Sequence, residues 1–245
     1  MRDHKKLLRF IFLAMMVAVG VVISPILRVE GMCPMQALVN VVCSVLMGPY
    51  YSLLCSIIIG IIRMITMGIP PLALTGAVFG AFLSGVLYRL SKGNLLFAAL
   101  GEDIGTGLIG SIVSYPVMTY LWGRTGLTWL IYVPGFTGAS IIGSGLAFLV
   151  LKQMQKNGSL ERMQSALGTE VYHGGDTVVN DAIGIGVLGC IGYLVAVVIV
   201  HNFIAHPTPL ENNMKYIVLI VFVIAGFLYW LKNRNVQPEH GKMQS

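Results

Sequence analysis

Between Leu7 and Leu27 the chain carries one charged side chain, Arg9, and between Tyr216 and Leu231 it carries none. A run of about 18 or more apolar residues is long enough to cross a bilayer as a helix, because each residue advances ~1.5 Å through ~30 Å of hydrocarbon. Hydrocarbon offers the backbone no hydrogen-bond partner, and a helix is the form that satisfies its own backbone within one segment. Such runs recur along the chain. Hydrophobic residues make up 56% of it and charged residues 11%, against about a quarter charged in an ordinary soluble domain. The sequence therefore predicts an all-α polytopic membrane protein and excludes a water-soluble globular domain. Met1 to Arg9 followed by an apolar run imitates a secretory signal, but no A-x-A-type cleavage site follows, so this run is read as the first span.

Apolar runs set against turn signals give spans near 7–27, 36–48, 50–66, 71–90, 95–122 and 129–152, then 181–205 and 213–232. The second is too short to cross upright and is expected to dip, tilt or line a cavity. The charges set the orientation, since Lys and Arg are retained on the cytoplasmic side. With the N-terminus inside, the inner segments hold Arg2, Lys5, Lys6, Arg9, Arg89, Lys92, Lys152, Lys156, Arg162, Lys232, Arg234 and Lys242, leaving Arg28, Arg63, Arg124 and Lys215 elsewhere. Both termini are expected in the cytoplasm of a multi-pass plasma-membrane protein. The net charge of +6 is thus a matter of membrane topology and not of nucleic-acid binding. The polar stretch Asn157 to Asn180 divides a six-helix unit, 1–157, from a cytoplasmic linker, 158–180, and a two-helix transmembrane extension with its tail, 181–245.

No G-x-x-x-x-G-K-[ST] phosphate loop occurs, so any ATP hydrolysis must come from partner proteins. There is also no H-E-x-x-H helix, G-x-S-x-G elbow or dinucleotide fingerprint, and nothing calls for a cofactor, a metal or a catalytic residue. Cys33, Cys43, Cys55 and Cys190 form no C-x-x-C pair. Cys43, Cys55 and Cys190 read as small apolar fillers, while Cys33 falls in an outer loop within reach of a ligand.

The polar and aromatic side chains that converge at the outer helix ends are the candidates for ligand binding. Glu30, Gln36, Asn40 and Arg63 can supply polar contacts; Tyr115, Trp122, Trp129 and Tyr132 can supply rings, or else form an interfacial aromatic belt. Arg63, Glu102 and Asp103 lie at or within the hydrocarbon limits, where an unpaired charge costs at least ~2.5 kcal/mol. Arg63 is near a helix end and can snorkel; Glu102 and Asp103 lie toward the inner end and are assigned to the fold or to a partner interface. Ala14 and Ala18, one turn apart, form a small-residue groove; Gly76 with Gly80, and Gly101 with Gly105, have the same spacing and read as packing within the chain.

Taken in order, Ala14-x-x-x-Ala18, Ser24-Pro-Ile-Leu-Arg28-Val-Glu-Gly-Met-Cys-Pro-Met-Gln36, Gly68-Ile-Pro-Pro-Leu-Ala-Leu-Thr-Gly-Ala-Val-Phe-Gly80 and Ser114-Tyr-Pro-Val117 resemble the ThiW family over about residues 7–155. That family comprises S components of energy-coupling factor transporters, associated with the thiazole moiety of thiamine. The resemblance implies a six-helix bundle that captures a small thiazole-type ligand from outside under a closing first loop, Arg28 to Gln36. It also implies a complex with a transmembrane coupling subunit and two cytoplasmic ATPase subunits, docked through Ala14 and Ala18. The last two helices depart from the six-helix pattern. Two other classes stay open at this point: a stand-alone carrier with Glu102 and Asp103 as its proton or cation site, and a membrane scaffold without a ligand.

Overall fold

The structure, a computed structural model, describes residues 2–26, 33–172, 178–204 and 209–233. The described residues contain no strand. They form α1 (Arg2–Ile23), α2 (Pro34–Met47), α3 (Pro49–Met67), α4 (Leu72–Leu90) and α5 (Leu95–Leu121). These are followed by α6 (Val133–Lys156), α7 (Ser159–Leu167), α8 (Val178–Phe203) and α9 (Pro209–Asn233). Apart from α2 and α7, each is long and apolar enough to cross a membrane. The protein is a polytopic all-α membrane protein, as its apolar runs predict. Its outward faces are studded with apolar side chains such as Val22, Ile65 and Leu149, each more than 60% exposed, as suits helices solvated by lipid.

Local chemistry sets the helix boundaries. Pro34 and Pro49 occupy first-turn positions of α2 and α3, where a missing N–H costs nothing. Gly48, the only residue between α2 and α3, has φ 89° and turns the chain within one residue, a conformation L side chains resist. Asn94 caps α5 by accepting from the backbone N–H groups of Leu96 at 2.8 Å and Phe97 at 3.3 Å.

Short connections make the helices run up and down, so the bundle has two ends. One, the basic end, gathers the start of α1, the α2–α3 and α4–α5 junctions and the end of α6, with Arg9, Arg89 and Lys152. The other, the mouth end, gathers the end of α1, the start of α2, the Gly68–Pro71 turn and the start of α6. The short α2 lies in the middle, against α3, α4 and α6, with most of its residues buried. It lines the interior, as its length predicts.

Helices α4 and α5 cross through the small-residue pairs. A Cβ placed on Gly101 would stand 2.6 Å from backbone atoms of Leu83 and Ser84, and one on Gly105 would stand 2.5 Å from Gly80 Cα. The backbones therefore touch, as close packing in lipid favours. Helix α5 also widens to π-helical turns over Asp103–Gly110 and Val117–Leu121. Nearby carbonyls are met by hydroxyls: Ser111 donates to Gly107 O at 2.6 Å, Ser114 to Gly110 O at 2.7 Å and Thr137 to Gly107 O at 3.2 Å. This is the compensation that irregular backbone needs at membrane depth.

The polar interval 158–180 is more than a linker. Helix α7 within it lies across the basic end of the bundle, where the Gln164 amide donates to Val45 O at 2.9 Å and to Tyr88 Oη at 3.1 Å. Arg9 donates from α1 to the carbonyls of Leu167 and Gly168, each at 2.5 Å. Helices α8 and α9 pack chiefly on one another, and α8 touches α5 and α6. Asp181 ties them in, accepting from Asn94 Nδ2 at 2.8 Å and from the Tyr229 hydroxyl at 3.0 Å.

Candidate functional site

A cavity opens at the mouth end between α2, α3, α4, α5 and α6. Its space between atoms is about 640 Å³ counting the open mouth. One part of its wall is apolar and flat. Ala37, Ala73, Gly76, Ala77 and Ala139 present almost no side chain, and the Phe136 ring stands against Gly76, where a Cβ would come within 2.8 Å of it. The Phe136 ring packs directly on Gly76, so this part of the wall is smooth and apolar.

The rest of the wall is polar. Gln36 and Asn40 are four residues apart on α2 and therefore share a face. Ser24 donates its hydroxyl to Gln36 Oε1 at 2.8 Å, and Gln36 Nε2 donates to Asn40 Oδ1 at 3.0 Å. Asn40 Nδ2 in turn donates to Glu102 Oε1 at 3.0 Å and to Ala77 O at 3.2 Å. Thr106, one turn along α5, gives Glu102 Oε1 a second hydrogen bond at 2.8 Å. The chain of amides thus runs from the mouth to the carboxylate, with every donor aimed the same way.

Among the described residues one basic and one acidic side chain line this cavity, Arg63 at 2% exposure and Glu102 at 0%. Among the described residues Arg63 reaches only Gln36 Oε1, from Nη1 at 3.5 Å, and its Nε has no partner. Glu102 Oε2 likewise has none. Snorkelling is not what Arg63 does; it turns inward.

Of the polar candidates expected from sequence, Gln36, Asn40 and Arg63 come together here, and Cys33 stands at the mouth with its Sγ 3.1 Å from Ser24 O. Glu30 and most of the Arg28 to Gln36 loop lie outside the described residues. The aromatic candidates are placed elsewhere. Trp122 and Trp129 are 50% and 55% exposed; Tyr115 packs on Trp129 with ring centroids 4.4 Å apart. Tyr132 is buried in a cluster with Leu72, Met118 and Phe136, behind the lining residues Leu72 and Phe136. The ring that lines the cavity is Phe136, which sequence reasoning missed because an apolar helix residue carries no polar signal.

Glu102 and Asp103 also separate. Consecutive helical residues point about 100° apart, so the two carboxylates face different neighbours. Asp103 accepts from Ser144 on α6 at 2.9 Å, a brace between helices, as expected. Glu102 faces α2 and the cavity, which corrects its assignment to the fold or a partner interface alone. No cluster of metal-ligating side chains occurs among the described residues.

Fold and cavity together define the class: a polytopic membrane protein with a partly polar cavity inside its bundle. The family model for the thiamine-precursor transporter protein (ThiW) matches residues 10–157, more than half of the chain, and the chain belongs to that family. The match ends where α6 ends, so α7, α8 and α9 lie beyond it. No curated protein and no solved structure matches the chain.

Proposed function

We propose that the chain is the substrate-binding S component of an energy-coupling factor importer, taking hydroxyethyl-thiazole from outside the cell. The observation that supports this most is the apolar wall of alanines, Gly76 and Phe136 beside the Gln36–Asn40–Glu102 network. A thiazole is flat and aromatic with polar atoms at its edge, so the apolar wall takes its faces while Gln36, Asn40 and Arg63 meet its edge. With the basic end in the cytoplasm, both termini lie inside the plasma membrane and the mouth faces outward. The Arg28 to Gln36 loop would close over the bound ligand. A transmembrane coupling subunit and two cytoplasmic ATPases, docked on α1 at Ala14 and Ala18, would drive release inward. Both alanines are exposed on α1, about 100° around the helix from buried Leu13 and Val17.

Titration calorimetry of the purified protein with hydroxyethyl-thiazole, thiamine and the pyrimidine precursor tests the substrate. Saturable binding strongest for the thiazole is the expected result, and no binding of any of the three would sink the vitamin-precursor reading. The docking proposal has its own test. Ala14→Trp combined with Ala18→Trp is expected to abolish co-purification with the coupling subunit while ligand affinity stays within about twofold, because the cavity lies across the bundle from this face. Uptake into liposomes by the chain alone would instead favour a self-sufficient carrier.

A further inference from the structure

Gln36, Asn40 and Ser44 recur every four residues along α2 and so share one face. That face meets α4 in a seam of hydrogen bonds leading from the cavity toward the basic end. Asn40 Nδ2 donates to Ala77 O at 3.2 Å, and the Ser44 and Ser84 hydroxyls lie 2.7 Å apart. The last step of the seam comes from outside the six-helix unit. The carbonyl of Val45 would take the N–H four residues on, but that residue is Pro49, which has none. Gln164 of α7 supplies the donor instead, to Val45 O at 2.9 Å and to Tyr88 Oη at 3.1 Å, so one amide joins α2 to α4 at the basic end. The Thr169 hydroxyl does the same for the next carbonyl, Leu46 O, at 3.0 Å. Gln164 is buried, and Leu160 and Leu167, on the same face of α7, join the apolar core around Val41, Val45 and Leu46.

We infer that Gln164 and Thr169 are positioning residues for the cavity: they cap α2, Gln164 ties it to α4, and the binding unit therefore extends past residue 157, where the family match stops. The inference rests on the cavity being the thiamine-precursor site and names what holds that site in shape. Helix α2 brings Gln36, Ala37 and Asn40 to the cavity wall, and α4 brings Ala73, Gly76 and Ala77. Gln164 and Thr169 stand outside that wall, so they act through the two helices. A carbonyl buried at the foot of α2 without its donor costs free energy that a shift of the helix end or an entering water would relieve. Asn40 lies less than two turns from Val45, and a helix of 14 residues carries such a shift along its length.

The test uses the full chain in detergent with three readouts: calorimetry with hydroxyethyl-thiazole, hydrogen exchange of α2 without ligand, and thermal unfolding. Gln164→Leu keeps most of the side-chain bulk and removes both donated bonds. Thr169→Val removes the hydroxyl and Thr169→Ser retains it, while Ser165→Ala, on the exposed face of α7, is the control. Gln164→Leu and Thr169→Val are expected to weaken ligand binding roughly two- to thirtyfold, the span of coupling carried by packed, hydrogen-bonded networks. Both should also speed the exchange of the amides from Gln36 to Ser44. Thr169→Ser and Ser165→Ala should keep wild-type values in both measurements. A lower unfolding temperature with affinity and exchange unchanged would make α7 a clamp for stability alone and overturn the inference, as would Thr169→Ser behaving like Thr169→Val. Failure of wild type to bind the thiazole would instead overturn the thiamine-precursor reading, and the exchange of α2 would still decide the seam. Should Gln164→Leu not fold, the Thr169 pair decides, because it leaves Gln164 in place.

Discussion

Gly105→Leu is expected to leave little folded protein: in detergent, the monodisperse peak on size exclusion should collapse, and any surviving fraction should unfold far below wild type. The reason lies in what surrounds the missing side chain. A Cβ at this position would stand 2.5 Å from Gly80 Cα and from Phe79 O, well inside an ordinary van der Waals contact of ~3.5–4.0 Å. Backbone atoms cannot move aside as a flexible side chain can, so α4 and α5 would have to separate. Overpacking in a tight core typically costs about 1–3 kcal/mol, and the cost here belongs at or above the top of that range, because the whole crossing must open. In lipid no hydrophobic driving force pulls two helices back together; the association depends on the close packing that the leucine removes. Gly145→Leu is the control. Nothing lies within 4 Å of a Cβ placed there, so its unfolding temperature should match wild type. Equal behaviour of the two variants would refute the α4–α5 crossing.

That crossing also positions the site. Helix α5 packs on α4 through Gly101 and Gly105, and the residues that follow each of them, Glu102 and Thr106, line the cavity. The glycines set the distance across which Asn40 on α2 reaches Glu102 on α5. A fold that kept every helix but spread this pair would lose the polar network before it lost its secondary structure.

Much of this was legible in the chain itself, for reasons that differ from element to element. Apolar runs longer than a bilayer announce α1, α3, α4, α5, α6, α8 and α9, and the shortness of α2 already marks it as an interior segment. Small residues at four-residue spacing in Gly76, Gly80, Gly101 and Gly105 announce a close crossing, though not which helices cross. Helix α7 went unread because it is short and set in polar sequence. Its only signal is Leu160, Gln164 and Leu167 on one face, between Gly158 and Gly168, and its stability comes from contacts with Val45, Tyr88 and Arg9 on distant helices. Arg63, Gln36 and Asn40 stood out because polar groups are costly in hydrocarbon. Phe136 did not, since nothing in the sequence separates a ring that faces a cavity from one that faces the core. The direction of Glu102 was equally hidden, for it depends on the rotation of α5, and one residue along, Asp103 faces α6 instead.

Arg63→Met should abolish ligand binding and at the same time raise the temperature of unfolding, a pair of opposite effects that a purely structural arginine would not give. The side chain is 2% exposed, yet it makes a single long hydrogen bond of 3.5 Å to Gln36 and leaves Nε unpaired. A charge held within a membrane helix costs at least ~2.5 kcal/mol unless paired or hydrated, and a hydrogen bond at the limit of useful geometry offsets little of that. Methionine has comparable length, packs readily into irregular apolar space and carries no charge to desolvate. The fold should therefore gain about 1–3 kcal/mol, the range seen when poorly compensated buried charges give way to apolar side chains. Ligand affinity should fall by a hundredfold or more, since a charge-assisted hydrogen bond is lost and the ligand's acceptor is buried without a partner. Thermal unfolding and calorimetry on the same preparation read both signs. A drop in stability would mean that Arg63 holds α3 against α2 and belongs to the architecture; a rise with binding unchanged would remove it from the site. Stability raised and binding lost together is the signature of a side chain kept at the expense of the fold because the ligand needs it.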